Sequence, residues 1–154
     1  MCLCILYYGL LVSEIYVACS NIVEYEGGIV LVEETKPHIA GLHSLPGGSR
    51  KAGESDIAAA VRETKEETGL IVEPEAEIGR YKDPRTRSGN KIIVRVFASR
   101  VIGGALQTSS EHPVVAPYSD EEIYRLHSEK KLRSWIVELA VRDYRKGLRF
   151  DLPA

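Results

Sequence analysis

Three glutamates define the chemistry open to this chain. Glu63, Glu66 and Glu67 fall at i, i+3 and i+4 within Asp-Ile-Ala-Ala-Ala-Val-Arg-Glu-Thr-Lys-Glu-Glu-Thr, so a helix projects all three from one face. Carboxylates held that close repel one another and resist ionisation unless a cation neutralises them, which makes a bound divalent metal the least costly resolution. Ile57, Val61 and Thr64 lie on the opposite side as a stripe able to pack on a core. Runs such as Arg-Glu-Thr-Lys-Glu-Glu are usually solvated helix faces whose ion pairs contribute little. What separates this run from those is the loop Leu45-Pro46-Gly47-Gly48 before it and the complete set of spacings that follows.

Those spacings resemble the signature box of the Nudix hydrolases. The pattern runs glycine, five residues, glutamate, seven residues, Arg-Glu, an aliphatic residue, any residue, Glu-Glu, any residue, glycine and an aliphatic residue. Gly48, Glu54, Arg62, Glu63, Glu66, Glu67, Gly69 and Leu70 meet it over 23 residues. Thr64 stands where an aliphatic residue is usual, which weakens packing under the helix and leaves each chemical position intact. The resemblance implies that Glu63, Glu66 and Glu67, joined by the Gly48 carbonyl, supply oxygens to Mg²⁺ or Mn²⁺. Arg62 is then structural, pairing with Glu66 one turn on and holding a ligand in its rotamer. Glu54 sits where it can reach the exposed amides of the first helical turn and brace the loop, with Ser55 or Asp56 as the cap. A carboxylate must also take the proton of the attacking water. Glu66 or Glu67 serves if one is not ligated, and Glu111, in Ser109-Ser110-Glu111-His112, lies late in the chain where several family members carry an acid on a loop. His112, preceding Pro113, reads as a loop residue.

The elements that must position these groups follow from pattern. Residues 14–34 read as two strands turning at Glu26-Gly27-Gly28, and 35–48 hold too many breakers for regular structure. A helix from Ser55 to Thr68 stops at Gly69. Beyond it come a strand over Glu75–Tyr81, a turn at Asp83-Pro84-Arg85 and a loop over Thr86–Asn90. Lys91–Ile102 then alternates Ile92, Val94, Val96 and Ala98 on one face with Ile93, Arg95, Phe97 and Ser99 on the other. Short strands are expected at Ala105–Gln107 and Pro113–Ala116, a helix over Ser119–Leu126 capped by Ser119 or Asp120, and a longer helix over Ser128–Lys146. That last helix would bury Leu132, Trp135, Ile136, Leu139 and Tyr144. The pattern is layered α/β, and the resemblance implies the Nudix fold, a mixed β-sheet sandwiched between α-helices.

With 154 residues, 44% hydrophobic and 27% charged, the chain suits one compact domain, read as 14–147 followed by a tail at 148–154. Residues 1–13 open with an apolar segment too short to span a bilayer; they read as an added strand or an arm that could pair two subunits into a homodimer. A net charge of −2 gives no general attraction for a nucleic-acid polymer or an anionic membrane, so the expected partner is a small nucleotide. Cys2, Cys4 and Cys19 form no metal-ligand pattern, which fits a reduced, cytoplasmic setting.

By resemblance, the substrate is a nucleoside diphosphate linked to a group X. Arg80, Lys82, Arg85, Arg87, Lys91, Arg95 and Arg100 stand against Asp83 in the stretch 80–100, and of these Arg80, Arg85 and Arg87 are the candidates for gripping phosphate. Pro84 lies 15 residues after Gly69, close to where the ADP-ribose pyrophosphatase branch carries a proline, which points to ADP-ribose or a similar nucleotide sugar. Nucleoside triphosphate pyrophosphohydrolysis, and a non-catalytic module that binds a nucleotide metabolite, are the alternatives.

Overall fold

The computed structural model describes residues 15–83 and 91–153. β1 (Ile15–Tyr25) and β2 (Gly28–Glu33) form the expected hairpin. Its connection is two residues: Glu26 and Gly27 both take positive φ, 48° and 83°, as the type I′ turn that matches strand twist requires. The breaker-rich stretch after β2 is not wholly irregular. β3 (His43–Ser44) pairs with β2, and β4 (Gly47–Ser49) lies antiparallel to β1 at Ala18–Ser20, which satisfies main-chain groups that a bare glycine loop would leave to water.

α1 (Asp56–Thr68) starts at Ser55, whose Oγ accepts from the Ala58 amide at 3.1 Å, and ends at Gly69 in the left-handed conformation. β5 (Leu70–Asp83) begins directly after that cap, five residues before the strand expected there, and pairs antiparallel with β6 (Lys91–Gly104). The expected strand at Ala105–Gln107 is absent; β7 (Val115–Tyr118) follows and pairs with β2. α2 (Asp120–Ser128) opens on a capping box of Ser119 and Glu122. α3 (Trp135–Arg145) is capped by Ser134. The single helix expected over 128–146 is therefore interrupted, with Lys130 at φ 58° in the turn between α2 and α3. Leu132 is buried ahead of α3, while Trp135 is 41% exposed in its first turn, so the buried face of α3 is Ile136, Val137, Ala140 and Val141, with the expected Leu139 and Tyr144 packed partly buried against the same core.

The strands form one sheet in the order β3-β2-β1-β6-β5, with β4 beside β1 and β7 beside β2. β1 and β6 run parallel and the other pairs antiparallel, so the sheet is mixed. Alternation assigns its faces. Cys19 and Phe97 pack on Ala59 and Ala60 of α1, whereas Ile22, Val96 and Ala98 pack with Ile123 of α2 and Ile136, Val137 and Val141 of α3. This is the expected α/β sandwich.

Thr64 does not weaken the packing under α1. It is fully buried, accepts from Asn21 Nδ2 at 3.2 Å and donates to the Ala60 carbonyl at 2.7 Å, while Asn21 Oδ1 accepts from Ser99 Oγ at 2.9 Å. The departure from an aliphatic residue is matched by polar partners on β1 and β6, so the buried groups are satisfied. At the other end of the chain, Phe150 exchanges both main-chain hydrogen bonds with Glu77 of β5 and Leu152 packs beside Cys19, so the tail is fastened to the sheet. Among the described residues no helix is long and apolar enough to cross a membrane. The expected N-terminal strand or arm, and Pro84, Arg85 and Arg87, lie outside the described residues.

Candidate active site

The site is built where α1 reaches around the short strand β4. Gly47 and Gly48 separate the helix from β1, and both need to lack a side chain. A Cβ on Gly48 would stand 2.6 Å from Glu63 Oε1, and one on Gly47 would strike the Cys19 carbonyl and Ser20. Through this gap Glu63 lies against the strand, and the Gly47 amide donates to Glu67 Oε2 at 2.9 Å. Glu63, Glu66, Glu67 and Glu111 line a common cleft of about 310 Å³. Glu63, Glu67 and Glu111 also border a larger cavity of about 700 Å³ that runs along the sheet face away from α1, past Val94, Val96 and Ile136.

Arg62 organises the acids. Its guanidinium grips Glu54 through Nε and Nη2 at 2.8 and 3.0 Å, reaches the Ser49 carbonyl at 3.2 Å, and contacts Glu63 and Glu66 through Nη1 at 2.6 and 3.1 Å. The pairing with Glu66 is the expected one; the fork onto Glu54 is stronger, because it is bidentate. Glu54 accordingly does not brace the first-turn amides. Its second partner is the Lys51 amide at 3.0 Å, and Ser55 provides the cap. The Arg62 hydrogen bond, aided by the Lys51 amide, holds the Glu54 carboxyl down at about 2.

Glu67 is held at both oxygens. Oε2 takes the Gly47 amide, and Oε1 meets His112 Nε2 at 3.3 Å. Burial pushes its carboxyl up to about 7; the Gly47 bond and His112 oppose the rise, and neighbouring Glu63 and Glu34 add to it. His112 is itself buried and its Nδ1 lies 3.0 Å from the Glu33 carbonyl. His112 does stand in a loop, as expected, but its partners are 45 and 79 positions away, so local sequence gives no sign of its contacts with the site. Glu34 was missed for the same reason. It is buried in the cavity wall, accepting from Ser44 Oγ at 3.0 Å and from Arg133 Nη1 at 2.7 Å, and nothing in its local sequence marks it.

The family profile described as NUDIX domain matches residues 15–137. The chain belongs to the Nudix family. It is similar to an ADP-ribose pyrophosphatase of Methanocaldococcus jannaschii, 33% identical over 128 residues that make up 83% of this chain and 72% of that protein. It is also similar to the 8-oxo-dGDP phosphatase NUDT18 of Homo sapiens, 33% identical over 96 residues, 62% of this chain but 28% of that protein. Among solved structures, a NUDIX hydrolase from Nitrosomonas europaea superposes with a TM-score of 0.80 at 27% identity, covering 90% of this chain and 94% of that one. As a Nudix hydrolase the protein is a pyrophosphohydrolase of nucleoside diphosphate derivatives.

Nudix hydrolases generally use divalent metals, and the residues present fit one. Three carboxylates give a hard oxygen donor set of the kind Mg²⁺ and Mn²⁺ take, and the missing Gly48 side chain lets the Glu63 carboxylate lie directly against the main chain there. Among the described residues no three acidic, histidine or cysteine side chains already converge in a metal-holding arrangement; Arg62 instead supplies the positive charge between Glu63 and Glu66.

The basic stretch of this Nudix chain is distributed differently from the sequence expectation. Arg80 stands opposite Arg95 in the β5–β6 register, so both share the α1 face of the sheet, while Ile92, Val94 and Val96 of the other face line the cavity. Arg80 pairs there with Glu77 at 2.8 Å, and Arg95 bridges Glu77 and Asp56. Arg80 is thus a structural ion-pair partner turned away from the cavity. Among the described residues, the cationic side chains that line it are Lys36 and Arg133.

Proposed function

We propose that this Nudix hydrolase cleaves the diphosphate linkage of ADP-ribose or a similar nucleotide sugar, using Mg²⁺ or Mn²⁺. The observation that carries the reading is the junction of the acidic cleft with the cavity of about 700 Å³, a size suited to a nucleotide-sized ligand. Glu63, Glu66, Glu67 and the Gly48 carbonyl would hold the metal, which when bound neutralises the diphosphate and lowers the pKa of the attacking water. Glu111 accepts that water's proton as its oxygen bonds to phosphorus; the bond from phosphorus to the bridging oxygen breaks, leaving a nucleoside monophosphate and phosphorylated X. Glu66 or Glu67 takes this role if Glu111 does not. Arg62, braced by Glu54, keeps Glu63 and Glu66 in place. Lys36 and Arg133 meet phosphate oxygens, the nucleoside lies along Leu45, Val94 and Ile136, and Arg85 and Arg87 add charge from the 84–90 segment.

The relative named as a putative 8-oxo-dGTP diphosphatase, 32% identical over 104 residues, favours a second reading, pyrophosphohydrolysis of nucleoside triphosphates. A metabolite-binding module without turnover is a third, against which the complete acid set argues. A net charge of −2 supports a small nucleotide over a polymer as partner, and the free, buried thiol of Cys19 fits a reduced, cytoplasmic setting. Incubation with Mg²⁺ and a panel of ADP-ribose, NADH, diadenosine polyphosphates and intact or oxidised triphosphates separates these readings by product. Monophosphate with a phosphorylated sugar supports the first, inorganic pyrophosphate the second, and binding without turnover the third. Light scattering of the full chain against one starting at Ser13 tests whether the first residues make a homodimer.

A further inference from the structure

We propose that His112 is a positioning residue of the hydrolytic site, tying the loop that carries Glu111 to the carboxylate of Glu67 so that both acids are placed as one unit. The inference rests on the reading of Glu67 as a metal ligand and Glu111 as the base. The loop is anchored to the end of β2 by its main chain: Thr35 Oγ1 donates to the Glu111 carbonyl at 2.9 Å, and the Glu33 amide donates to the Val114 carbonyl at 2.9 Å. A turn closes it, with the Ser109 amide on the His112 carbonyl at 2.9 Å and the His112 amide on Ser109 Oγ at 3.1 Å. The imidazole carries this anchoring across to α1. A carbonyl can only accept, so Nδ1, 3.0 Å from the Glu33 oxygen, bears a hydrogen, and on the opposite edge Nε2 lies 3.3 Å from Glu67 Oε1, a contact closed by one further proton shared between these two atoms.

The chemistry demands a flat ring with two nitrogens on different edges, because the partners sit on β2 and α1. An asparagine or glutamine amide carries both its N–H groups on one nitrogen instead of on two edges of a ring. His112 is 7% exposed, so its ring is fixed by packing as well as by its bonds. With the Gly47 amide on the other oxygen, both oxygens of Glu67 are held, and its carboxylate is fixed in the wall of the cleft that Glu63 and Glu66 also line. Outer partners of this kind commonly change metal affinity or activity by about 10- to 100-fold when removed.

The test uses the full chain with Mn²⁺ as probe. Mn²⁺ affinity is measured by electron paramagnetic resonance without substrate, alongside kcat, KM and the urea midpoint, for His112→Ala, His112→Gln and Glu111→Gln. The expected result is Mn²⁺ binding weakened about tenfold or more in His112→Ala, with kcat reduced more than KM is raised and His112→Gln intermediate. Combining His112→Ala with Glu111→Gln should cost less than the two separate losses together, since both act on one unit. A folded His112→Ala with lower stability but wild-type Mn²⁺ affinity and kcat would overturn the proposal in favour of a purely structural ring. Should His112→Ala fail to fold, His112→Gln decides by the same criterion. If Glu67→Gln leaves Mn²⁺ affinity unchanged, the assignment of Glu67 as a ligand fails first and takes this inference with it.

Discussion

Adding one methyl group at Gly48 should separate catalysis from folding. The new Cβ of Gly48→Ala would stand 2.6 Å from Glu63 Oε1 and 2.7 Å from its carboxyl carbon, where ordinary contact begins near 3.4 Å. The carboxylate must therefore retreat by about 0.8 Å, and a misplacement of about 1 Å at a reacting centre costs on the order of 100-fold in rate. Folding should be spared, because the obstructed atoms are the end of a flexible side chain and alanine is favoured over glycine in a strand interior by about 0.5–1 kcal/mol. Gly47→Ala makes the contrast. Its Cβ would meet the Cys19 carbonyl and lie 2.7 Å from Ser20 Cα, main-chain atoms that yield only if β4 parts from β1, so it should destabilise by about 1–3 kcal/mol or more. The assay is Mg²⁺-dependent turnover of the best substrate in the panel, read beside the urea midpoint. The expected pattern for Gly48→Ala is kcat down about 30- to 100-fold at an unchanged midpoint. Full activity in Gly48→Ala, or an activity loss that merely follows loss of fold, would refute the reasoning that Glu63 needs that space.

Two further outcomes test the scaffold around the acids. Thr64→Val restores the apolar type usual in the family yet strips Asn21 Nδ2 of its partner, so it should cost about 1–3 kcal/mol by urea denaturation; an unchanged or higher midpoint would contradict the polar network. The carboxyl of Glu54 should titrate near 2 instead of 4.5 when followed by NMR. Because its folded value is depressed, the Glu54–Arg62 link contributes fully above 4.5 and is lost as pH falls towards 2. Arg62→Ala should return the titration towards 4.5, and a wild-type midpoint already there would contradict the link.

Local chemistry was readable from the sequence wherever cause and effect lie within one or two turns. The spacing of Glu63, Glu66 and Glu67, the Ser55 cap, the Gly69 stop and the alternation of β6 are all local rules, and the structure obeys them. The helix expected over 128–146 failed because helix propensity does not reveal that Lys130 adopts a left-handed turn. Trp135 was misplaced with it, since the register of a core face is set by where a helix begins. The ring of His112 and the carboxylate of Glu34 became visible only when β2, β3 and the 109–112 loop were brought together, which no spacing rule encodes. Arg80 shows the converse: a charge count placed it at the site, whereas strand alternation and the β5–β6 register turn it to the other face.

The central claim, that the box carboxylates serve metal-dependent diphosphate hydrolysis, is tested most directly by Glu67→Gln. The glutamine can still accept the Gly47 amide, so the fold should survive while a metal-ligating charge is lost. Turnover of ADP-ribose with Mg²⁺, followed by ³¹P NMR, should fall by about two orders of magnitude or more at an unchanged urea midpoint, with the wild type releasing two phosphomonoesters. Near-wild-type turnover by Glu67→Gln would contradict the account.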